Sequence, residues 1–506
     1  MVAGCDLLTS AGCAPGGAGP VRVPHVPLKF STAPAPTPRG VPGGLGKDLC
    51  AESRAFERRE RCDHRRCGGG RRGGAFRDVD LGVVRVDEAV VRGRRLLADI
   101  RPLKESPAYR RLWLGSALSS IGGQMTTFAV ALQVFHISRS SAAVGAVGLA
   151  SAVPAIVVGL AGGVLIDSVD RRRLVLVTST VLALVSAAFA AQAFAGSSAL
   201  WLLYLLTAVE GGLDAINAPA RRTFMPRLLR RELVPAGAVL SMISGYSAMI
   251  VGPALAGVVA AAAGRKVCYL IDAFSFGAAL YGVFRLPPMR PEGGPSGRSL
   301  SAAIEGLRFL VGNRALRGAL LADLNATVLA MPIALFPAIN AERFGGSPRT
   351  LGLLSTAIAI GGLLGSMLSG PVKHVVHPGR AMLITSAAWG AALAGFGAVN
   401  GLAASLALLA VAGAADMLSV VFRSTIVQLA TPDNMRGRTG SAEYVVGASF
   451  PQLGNFRAGM IATVSTPRIS AVTGGLAAVV GAGLIAATVP AFVAYRHLDS
   501  APTSGH

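Results

Sequence analysis

Hydrophobic residues run through two stretches of the chain without any Asp, Glu, Lys or Arg. Leu174–Val209 is 36 residues long and Ala381–Ala415 is 35 residues long. About 20 apolar residues cross a bilayer core as a helix, so each stretch is long enough to cross twice. Each also has a polar or glycine break near its middle, at Gly196-Ser197-Ser198 and at Asn400-Gly401. The pattern therefore predicts two helical hairpins in a membrane, 207 positions apart.

The remaining apolar segments complete a repeated plan of six predicted spans in each half. The first six are Leu112–Ser138, Ser140–Ile166, the two arms of the 174–209 hairpin, Leu233–Gly264 and Val267–Phe284. The second six are Gly318–Ala341, Thr350–Val372, the two arms of the 381–415 hairpin (the second extending to Gln428), Thr439–Pro467 and Ile469–Tyr495. We expect an all-α integral membrane fold of twelve helices in two pseudo-symmetric bundles.

The domain boundaries follow from where composition changes. Residues 1–100 are rich in Gly, Pro and Arg and lack a sustained apolar period, which predicts a disordered tail. The tail could also be an over-extended start, with translation beginning near Val83 to Val91. We expect bundles at 101–286 and 314–498, a cytoplasmic linker at 287–313, and a short tail at 499–506. The tail cysteines, including Cys62 and Cys67 around His64, lack a second ligand pair, and we expect no metal site.

Composition and charge exclude two classes of protein. With 52% apolar and 15% charged residues, the chain is too hydrophobic for a soluble enzyme. The net charge of +22 does not indicate nucleic-acid binding, because the basic residues lie mainly in alternate short loops. The opposite loops hold only Arg139, Arg265, Lys266, Arg343, Arg349 and Arg468. This bias predicts cytoplasmic termini in a cell membrane, which we expect to be bacterial.

A motif after the second predicted span gives a family resemblance. Residues 162–173 have the sequence GGVLIDSVDRRR, which resembles the signature of the major facilitator superfamily over roughly residues 100–498. Segments 103–111, 204–211 and 431–438 are similar to the enterobactin (siderophore) exporter branch. Two features depart from the family pattern: Ser168, where an Arg is usual, and the matching loop at 370–380, which lacks the acid. The resemblance implies a secondary transporter that works by alternating access.

The same motif predicts a cytoplasmic gate. We expect Asp167 to accept hydrogen bonds from a neighbouring helix N-terminus and to pair with Arg171 or Arg172. Such a cluster would form only when the cytoplasmic side is closed. The alternative is that these arginines only fix the topology. The gate residues are Gly163, Asp167, Asp170, Arg171 and Arg172.

Carboxylates within the predicted spans are the candidates for proton coupling, because ionisable groups in a membrane are costly and usually functional. Glu210 and Asp214 are four residues apart on one helix face. Two such neighbours in a poorly hydrated cavity cannot both ionise cheaply, so we expect one to bind a proton near neutral pH. Asp416 matches Glu210 at an offset of 206. The alternative is structural pairing, of Glu210 or Asp214 with Arg221 or Arg222 and of Asp416 with the residue seven positions later.

A second group of polar residues is predicted to line a substrate cavity. Arg423 and Arg457 could attract an anionic substrate, or pair with Asp416 or Glu443. We expect Asp272 to have a helix-capping or packing role, and Met331-Pro332 to kink the seventh span. The cavity candidates are Gln124, Asp323, Asn325, Arg423, Glu443 and Arg457.

The fifth predicted span carries a Gly/Pro motif that resembles, imperfectly, one found in proton antiporters of the superfamily. Its residues are Gly245, Gly252, Pro253 and Gly257. The alternative is ordinary close packing of helices around small residues. If the motif holds, it implies export.

Together these features predict proton-coupled export of a siderophore or amphipathic natural product. We expect no cofactor, a proton gradient as the energy source, and a monomer in the lipid bilayer with a small-molecule substrate and no nucleic acid. A P-loop for ATP is absent from the sequence. The alternatives are a multidrug or macrolide efflux pump, an integral-membrane enzyme such as an acyltransferase, and a membrane sensor that does not transport.

Overall fold

The computed structural model of the protein describes residues 99–289, 300–370, 372 and 375–496, without the side chains of residues 161–168 and Leu300. The predicted disordered tail, its cysteines and the C-terminal residues 497–506 lie outside the described residues. Part of the predicted linker, residues 290–299, also lies outside them.

Twelve helices of 17 residues or more dominate the described chain. The first six are α1 (Pro107–Ser138), α2 (Ser141–Ser168), α3 (Arg171–Phe194), α4 (Leu200–Arg222), α5 (Val234–Ala263) and α6 (Arg265–Phe284). The second six are α7 (Arg314–Ala330), α8 (Pro348–Met367), α9 (Pro378–Ala398), α10 (Leu402–Ala430), α11 (Arg436–Val464) and α12 (Pro467–Thr488). Shorter helices are Arg101–Glu105, Met225–Leu228, Leu300–Gly312, Phe336–Arg343 and Pro490–Val493, with 3-10 turns at Arg231–Leu233, Ile333–Leu335 and Asp433–Met435.

Both predicted hairpin breaks are confirmed. The first falls between α3 and α4, where Gly196 has a φ of 68° that side-chain-bearing residues rarely adopt. The second falls at Asn400-Gly401, immediately before α10. The predicted kink of the seventh span is a full break, because α7 ends at Ala330 and the chain resumes as Phe336–Arg343. The last predicted span is also interrupted, at Pro490, which has no backbone N–H to continue α12.

Nine helical segments of the described chain are long and apolar enough to cross a membrane. They correspond to α2, α3, α5, α6, α7 with its continuation to Arg343, α8, α9, α10 and α12. The other long helices, α1, α4 and α11, alternate with these along the chain. The protein is thus an all-α integral membrane protein, and twelve spans remain the prediction for its topology.

The packing repeats between the two halves of the described chain. In the first half α2 packs on α4, α3 on α6 and α1 on α6; in the second half α8 packs on α10, α9 on α12 and α7 on α12. Between the halves, α2 packs on α11, and its counterpart α8 packs on α5. Each half therefore contributes its second and fifth helices to the interface, which is the arrangement of a pseudo-twofold pair of bundles.

The closest approaches between the halves lie at one end of the bundles. A Cβ on Gly459 of α11 would strike the backbone of Ser141 at the start of α2, and one on Gly257 of α5 would lie 2.7 Å from the carbonyl of Pro348. Small residues at these positions let the backbones touch. Nearer mid-depth, the Tyr246 hydroxyl donates to the Met417 sulfur at 3.2 Å. The closest backbone contacts between the halves therefore lie at the end where α1 turns into α2 and α11 into α12.

Candidate transport site

The α4 carboxyls are the first part of the candidate site. Glu210 is half-buried and Asp214, one turn later, is exposed on the same helix face. Asp214 and Asp272 both lie within electrostatic range of Glu210. Within the described chain, the carboxyl groups of Glu210 and Asp214 form no hydrogen bond and no ion pair. These acids therefore lack the direct cationic partner that would hold them permanently ionised.

Arg221, the expected structural partner of these acids, is bound elsewhere. Its guanidinium donates to the Ser116 hydroxyl on α1 at 3.2 Å and to the Ser179 hydroxyl on α3 at 2.9 Å. Asn217, one turn earlier, donates to the hydroxyls of Thr178 and Ser179. Arg221 thus ties three helices of the first bundle together. Asp214 lies within electrostatic range of Arg221 but not in contact with it.

The second bundle places a cation among several acids. Arg423 of α10 donates to the Asp323 carboxylate of α7 at 3.0 Å, and both side chains are mostly buried. Asp416 and Glu443 lie within electrostatic range of Arg423 and of Asp323. The alternative pairing of Arg423 with Asp416 or Glu443 is therefore not the one formed. Asp416 is nearly two helical turns away, about 10 Å along the axis, whereas α7 lies alongside.

A small cavity lies beside part of this cluster. It is lined by Leu310, Leu316, Ala319, Leu320, Arg423, Val427, Glu443 and Val446. Arg423 and Glu443 therefore share the wall of this cavity, and their role in binding a substrate stays a prediction. A second small cavity lies beside the α7 break and is lined by Arg457, Met331, Pro332 and Gly474 among others. Arg457 carries no ion pair within the described residues.

Two of the predicted cavity residues have structural contacts. Asn325 is buried and donates to the Ala478 carbonyl of α12 at 2.8 Å, so it joins α7 to α12 instead of facing the cavity. The side chain of Gln124 packs against Gly252 of α5, where an added Cβ would lie only 2.4 Å from the Gln124 Cβ. Both residues contribute to helix packing in this conformation.

Asp272 has a buried environment that the sequence did not indicate. The residue is fully buried in α6, and its carboxyl accepts hydrogen bonds from Thr126 of α1 at 2.8 Å and from Ser186 of α3 at 2.7 Å. The Ser275 hydroxyl lies 3.4 Å from the other carboxyl oxygen. The packing role expected for Asp272 is present, and the capping role is not, because the residue is the eighth of its helix.

Comparisons with known proteins identify the family. The model of the family described as "Transmembrane secretion effector" matches residues 98–504. The chain belongs to this family. Its solved structural neighbours include the nucleoside transporter NupG (TM-score 0.61, 15% identity, covering 76% of this chain and 98% of that one). Another is a bacterial homologue of the iron transporter ferroportin in an inward-facing state (TM-score 0.58, 16% identity, 75% and 98% covered). These neighbours show the major facilitator fold.

Curated relatives share the same region. The enterobactin exporter EntS of Citrobacter koseri is 27% identical over 386 residues, covering 76% of this chain and 92% of the relative. The enterobactin exporter EntS of Salmonella typhimurium is 26% identical over 388 residues, covering 76% and 92%. Both relatives are named as exporters, and the solved neighbours are transporters. The protein is a multi-pass membrane transporter, and the membrane-enzyme alternative is without support.

The predicted gate motif lies at the end of α2 and the start of α3. Gly163 and Asp167 belong to α2, where the structure describes the backbone but not the side chains. Asp170 caps α3 by accepting from the backbone N–H groups of Arg172 and Arg173. Arg172 donates to the Phe284 carbonyl at the end of α6, and the Arg171 backbone N–H donates to Met289. The loop thereby anchors α3 to the end of α6 within one bundle.

The charge of Asp170 follows from these contacts. Burial on its own would raise the pKa of Asp170, but hydrogen bonds from the backbones of Arg173, Met289 and Arg172, with the charge of Arg173, lower that pKa overall. Asp170 therefore remains ionised at neutral pH. A negative charge at this helix N-terminus also interacts favourably with the helix dipole.

The α5 Gly/Pro motif divides into two parts. Gly252 packs against α1, while the Pro253 carbonyl and Gly257 form the contact with α8 between the two bundles. Gly245 has no neighbour within 4 Å of a would-be Cβ. Three of the four motif residues therefore serve close helix packing. Gly245 takes no part in this packing, so a role for the whole motif in proton antiport stays a prediction.

Proposed function

We propose that the protein exports a siderophore or similar amphipathic natural product across the cell membrane in exchange for protons. The observation that carries the proposal is the pair of α4 carboxyls, Glu210 and Asp214, without a contacting cation in the described chain. The similarity to enterobactin exporters supports the substrate class. A multidrug or macrolide pump is the alternative substrate class, and no feature of the described residues favours it.

In this proposal Glu210 is the proton-carrying group. A carboxyl in a poorly hydrated site with other acids in range and no direct counter-ion binds a proton more readily than a carboxyl in water. Asp214 is the second proton site, and Asp416 occupies the matching position in the other bundle. Protonation of the half-buried Glu210 removes its charge, and this lowers the cost of moving the site between the states open to the two sides of the membrane.

Arg423 supplies the proposed attraction for substrate. Siderophores bind iron through electron-rich oxygen donors, and these can compete with the Asp323 carboxylate for the guanidinium. Arg423 would then exchange its internal partner for the cargo. Arg457, beside the break after α7, is a second cation that could bind the substrate in this proposal.

Rocking of the two bundles would provide alternating access. The interface is built from two symmetric contacts, α2 with α11 and α5 with α8, about which rigid halves can tilt. With the predicted cytoplasmic termini, the end held closed by Gly459 and Gly257 faces outward. The site would then open to the cytoplasm, where a cargo for export is loaded.

Transport by purified protein in liposomes tests the proposal. We expect an imposed pH gradient to drive movement of a catecholate siderophore by the wild-type protein, and Glu210→Gln to abolish this movement. The matched control is Glu342→Gln, which removes the same charge from an exposed residue near the closed end. Equal gradient-driven flux in Glu210→Gln and wild type would reject Glu210 as the proton carrier. Transport of a macrolide but no siderophore would replace the substrate class.

A further inference from the structure

The short helix Leu300–Gly312, which we term the linker helix, has one face buried against the second bundle. Ala302, Ala303, Gly306 and Leu310 form this face, and all are buried. A Cβ on Gly306 would strike the backbone of Arg438 in the first turn of α11. The linker helix is therefore held firmly on the bundle by small residues and by Leu310.

A second apolar face of the same helix is uncovered. Ile304, Leu307 and Val311 are 45%, 40% and 44% exposed. Their spacing of three and then four residues puts them in one continuous stripe along the helix. A stripe of three large aliphatic side chains in contact with water is unfavourable, because nothing offsets the cost of hydrating them.

Basic residues border this stripe. Arg308 lies one turn after Ile304 and is exposed, and Arg314 and Arg317 are exposed at the start of α7. The acid of the linker helix, Glu305, is engaged in an ion pair with Arg438 on α11. The charge left beside the stripe is therefore positive.

The linker helix lies alongside α11 and leads into α7. Its Leu310 lines the same cavity as Glu443 and Val446, which are seven and ten residues into α11. At 1.5 Å per residue, this places Leu310 about 10–15 Å along α11 from its first residue. The helix also ends one residue before α7 begins. It is thus beside the spans and not out in the aqueous loop.

We propose that the linker helix is an interfacial lipid-binding site, with Ile304, Leu307 and Val311 among the acyl chains and Arg308 on the phosphate of an anionic phospholipid. Apolar stripes bordered by basic residues bind such surfaces. A bilayer is the occupant because the basic border suits an anionic headgroup and because the helix leads into α7, which with its continuation to Arg343 is long and apolar enough to span a membrane. The site anchors the connection between the two bundles and does not depend on which substrate is exported.

Environment-sensitive labels test the position of the helix. In full-length protein with its six native cysteines replaced by alanine, an NBD label is attached at Leu307→Cys or at Gly312→Cys. Gly312 is exposed, and a Cβ there meets no atom within 4 Å. In bilayer nanodiscs we expect the label at position 307 to have blue-shifted emission and to be strongly quenched by nitroxide-labelled lipid chains. At position 312 we expect a much smaller blue shift and much weaker quenching. Equal, water-like emission at the two positions would overturn the proposal.

Lipid composition tests the headgroup contact. We expect wild type to unfold at a higher temperature in nanodiscs containing phosphatidylglycerol than in phosphatidylcholine alone. Arg308→Gln should lose most of that shift, whereas Arg308→Lys should keep it. Arg349→Gln, an exposed arginine at the other end of the bundle, is the control and should keep it. Retention of the full shift in Arg308→Gln, or restoration of the shift by inorganic phosphate in pure phosphatidylcholine, would overturn the lipid assignment.

Discussion

Arg423 and Asp323 form a 3.0 Å ion pair between α10 and α7, with 22% and 14% of their side chains exposed. Asp416 and Glu443 stand within electrostatic range of the same guanidinium. One cation therefore serves three carboxyl groups, and it touches only one of them. Because Arg423 is the cation for all three carboxyl groups, we expect the loss of Arg423 and the loss of Asp323 to change the stability of the protein by different amounts.

Removing Arg423 should destabilise the protein more than removing Asp323. Arg423→Gln leaves three acids without a cation, and breaking a buried pair this way costs about 3–5 kcal/mol. Asp323→Asn keeps an amide oxygen beside Arg423 and leaves Glu443 on the same cavity wall, so we expect a loss of about 1 kcal/mol. Thermal unfolding of both variants in one detergent gives the order. Equal losses would contradict the shared arrangement.

The Asp272 site should tolerate loss of charge but not loss of its hydrogen bonds. Asp272→Asn can still accept from Thr126 and Ser186 through its carbonyl oxygen, so we expect a stability change within about 1 kcal/mol. Asp272→Ala leaves two buried hydroxyls without a partner and opens a cavity, so we expect it to lower the free energy of unfolding by about 3 kcal/mol. Unfolding temperatures of the two variants provide the measurement. Substantial destabilisation by Asp272→Asn would mean that the ionised carboxylate itself is needed.

The Asp170 cap should produce a pH-dependent stability difference. The pKa of Asp170 is lowered in the folded protein, so its contribution is present above the unfolded pKa of about 4 and is lost as the pH falls through the folded value. Asp170→Ala should cost about 1 kcal/mol at pH 7, as expected for loss of an N-cap. The gap between wild type and Asp170→Asn should narrow in acid. A gap that is constant from pH 7 to pH 3 would contradict an ionised cap.

The helices were predictable from the sequence because helices that cross lipid need long segments without charged residues. Gly196 and Gly401 mark where two of these segments break. The contacts of individual polar residues were less predictable. Asn325 faces α12 instead of the cavity because helix rotation is set by packing, which a single sequence does not reveal. Arg423 and Asp323 are 100 residues apart and show no shared motif.

Asp272 illustrates the same limit. Its partners Thr126 and Ser186 are ordinary residues of α1 and α3, and only the three-helix packing makes them a hydrogen-bonding site. The sequence shows an acidic residue at position 272, but it does not show that two hydroxyl groups donate hydrogen bonds to its carboxyl. A count of buried acids can therefore indicate candidates, but it cannot separate a proton carrier from a packed carboxyl.

The glycines at the closed end should control the balance between the two proposed access states. Gly257→Val would push the α5 backbone away from Pro348, where even a Cβ would lie 2.7 Å from the carbonyl oxygen. Because α5 and α8 belong to different bundles, the strain is relieved by separating the bundles at this end. We expect Gly257→Val to shift the population toward the state open at that end.

Distances between spin labels at the two bundles' closed ends measure this shift. Labels at position 139, just after α1, and at position 468, in the first turn of α12, should move apart by several ångströms in Gly257→Val. Gly277→Val on α6 is the matched control, since a Cβ there meets no atom within 4 Å and its distances should match wild type. Unchanged distances in a folded Gly257→Val protein would mean that the α5–α8 contact does not move when access changes.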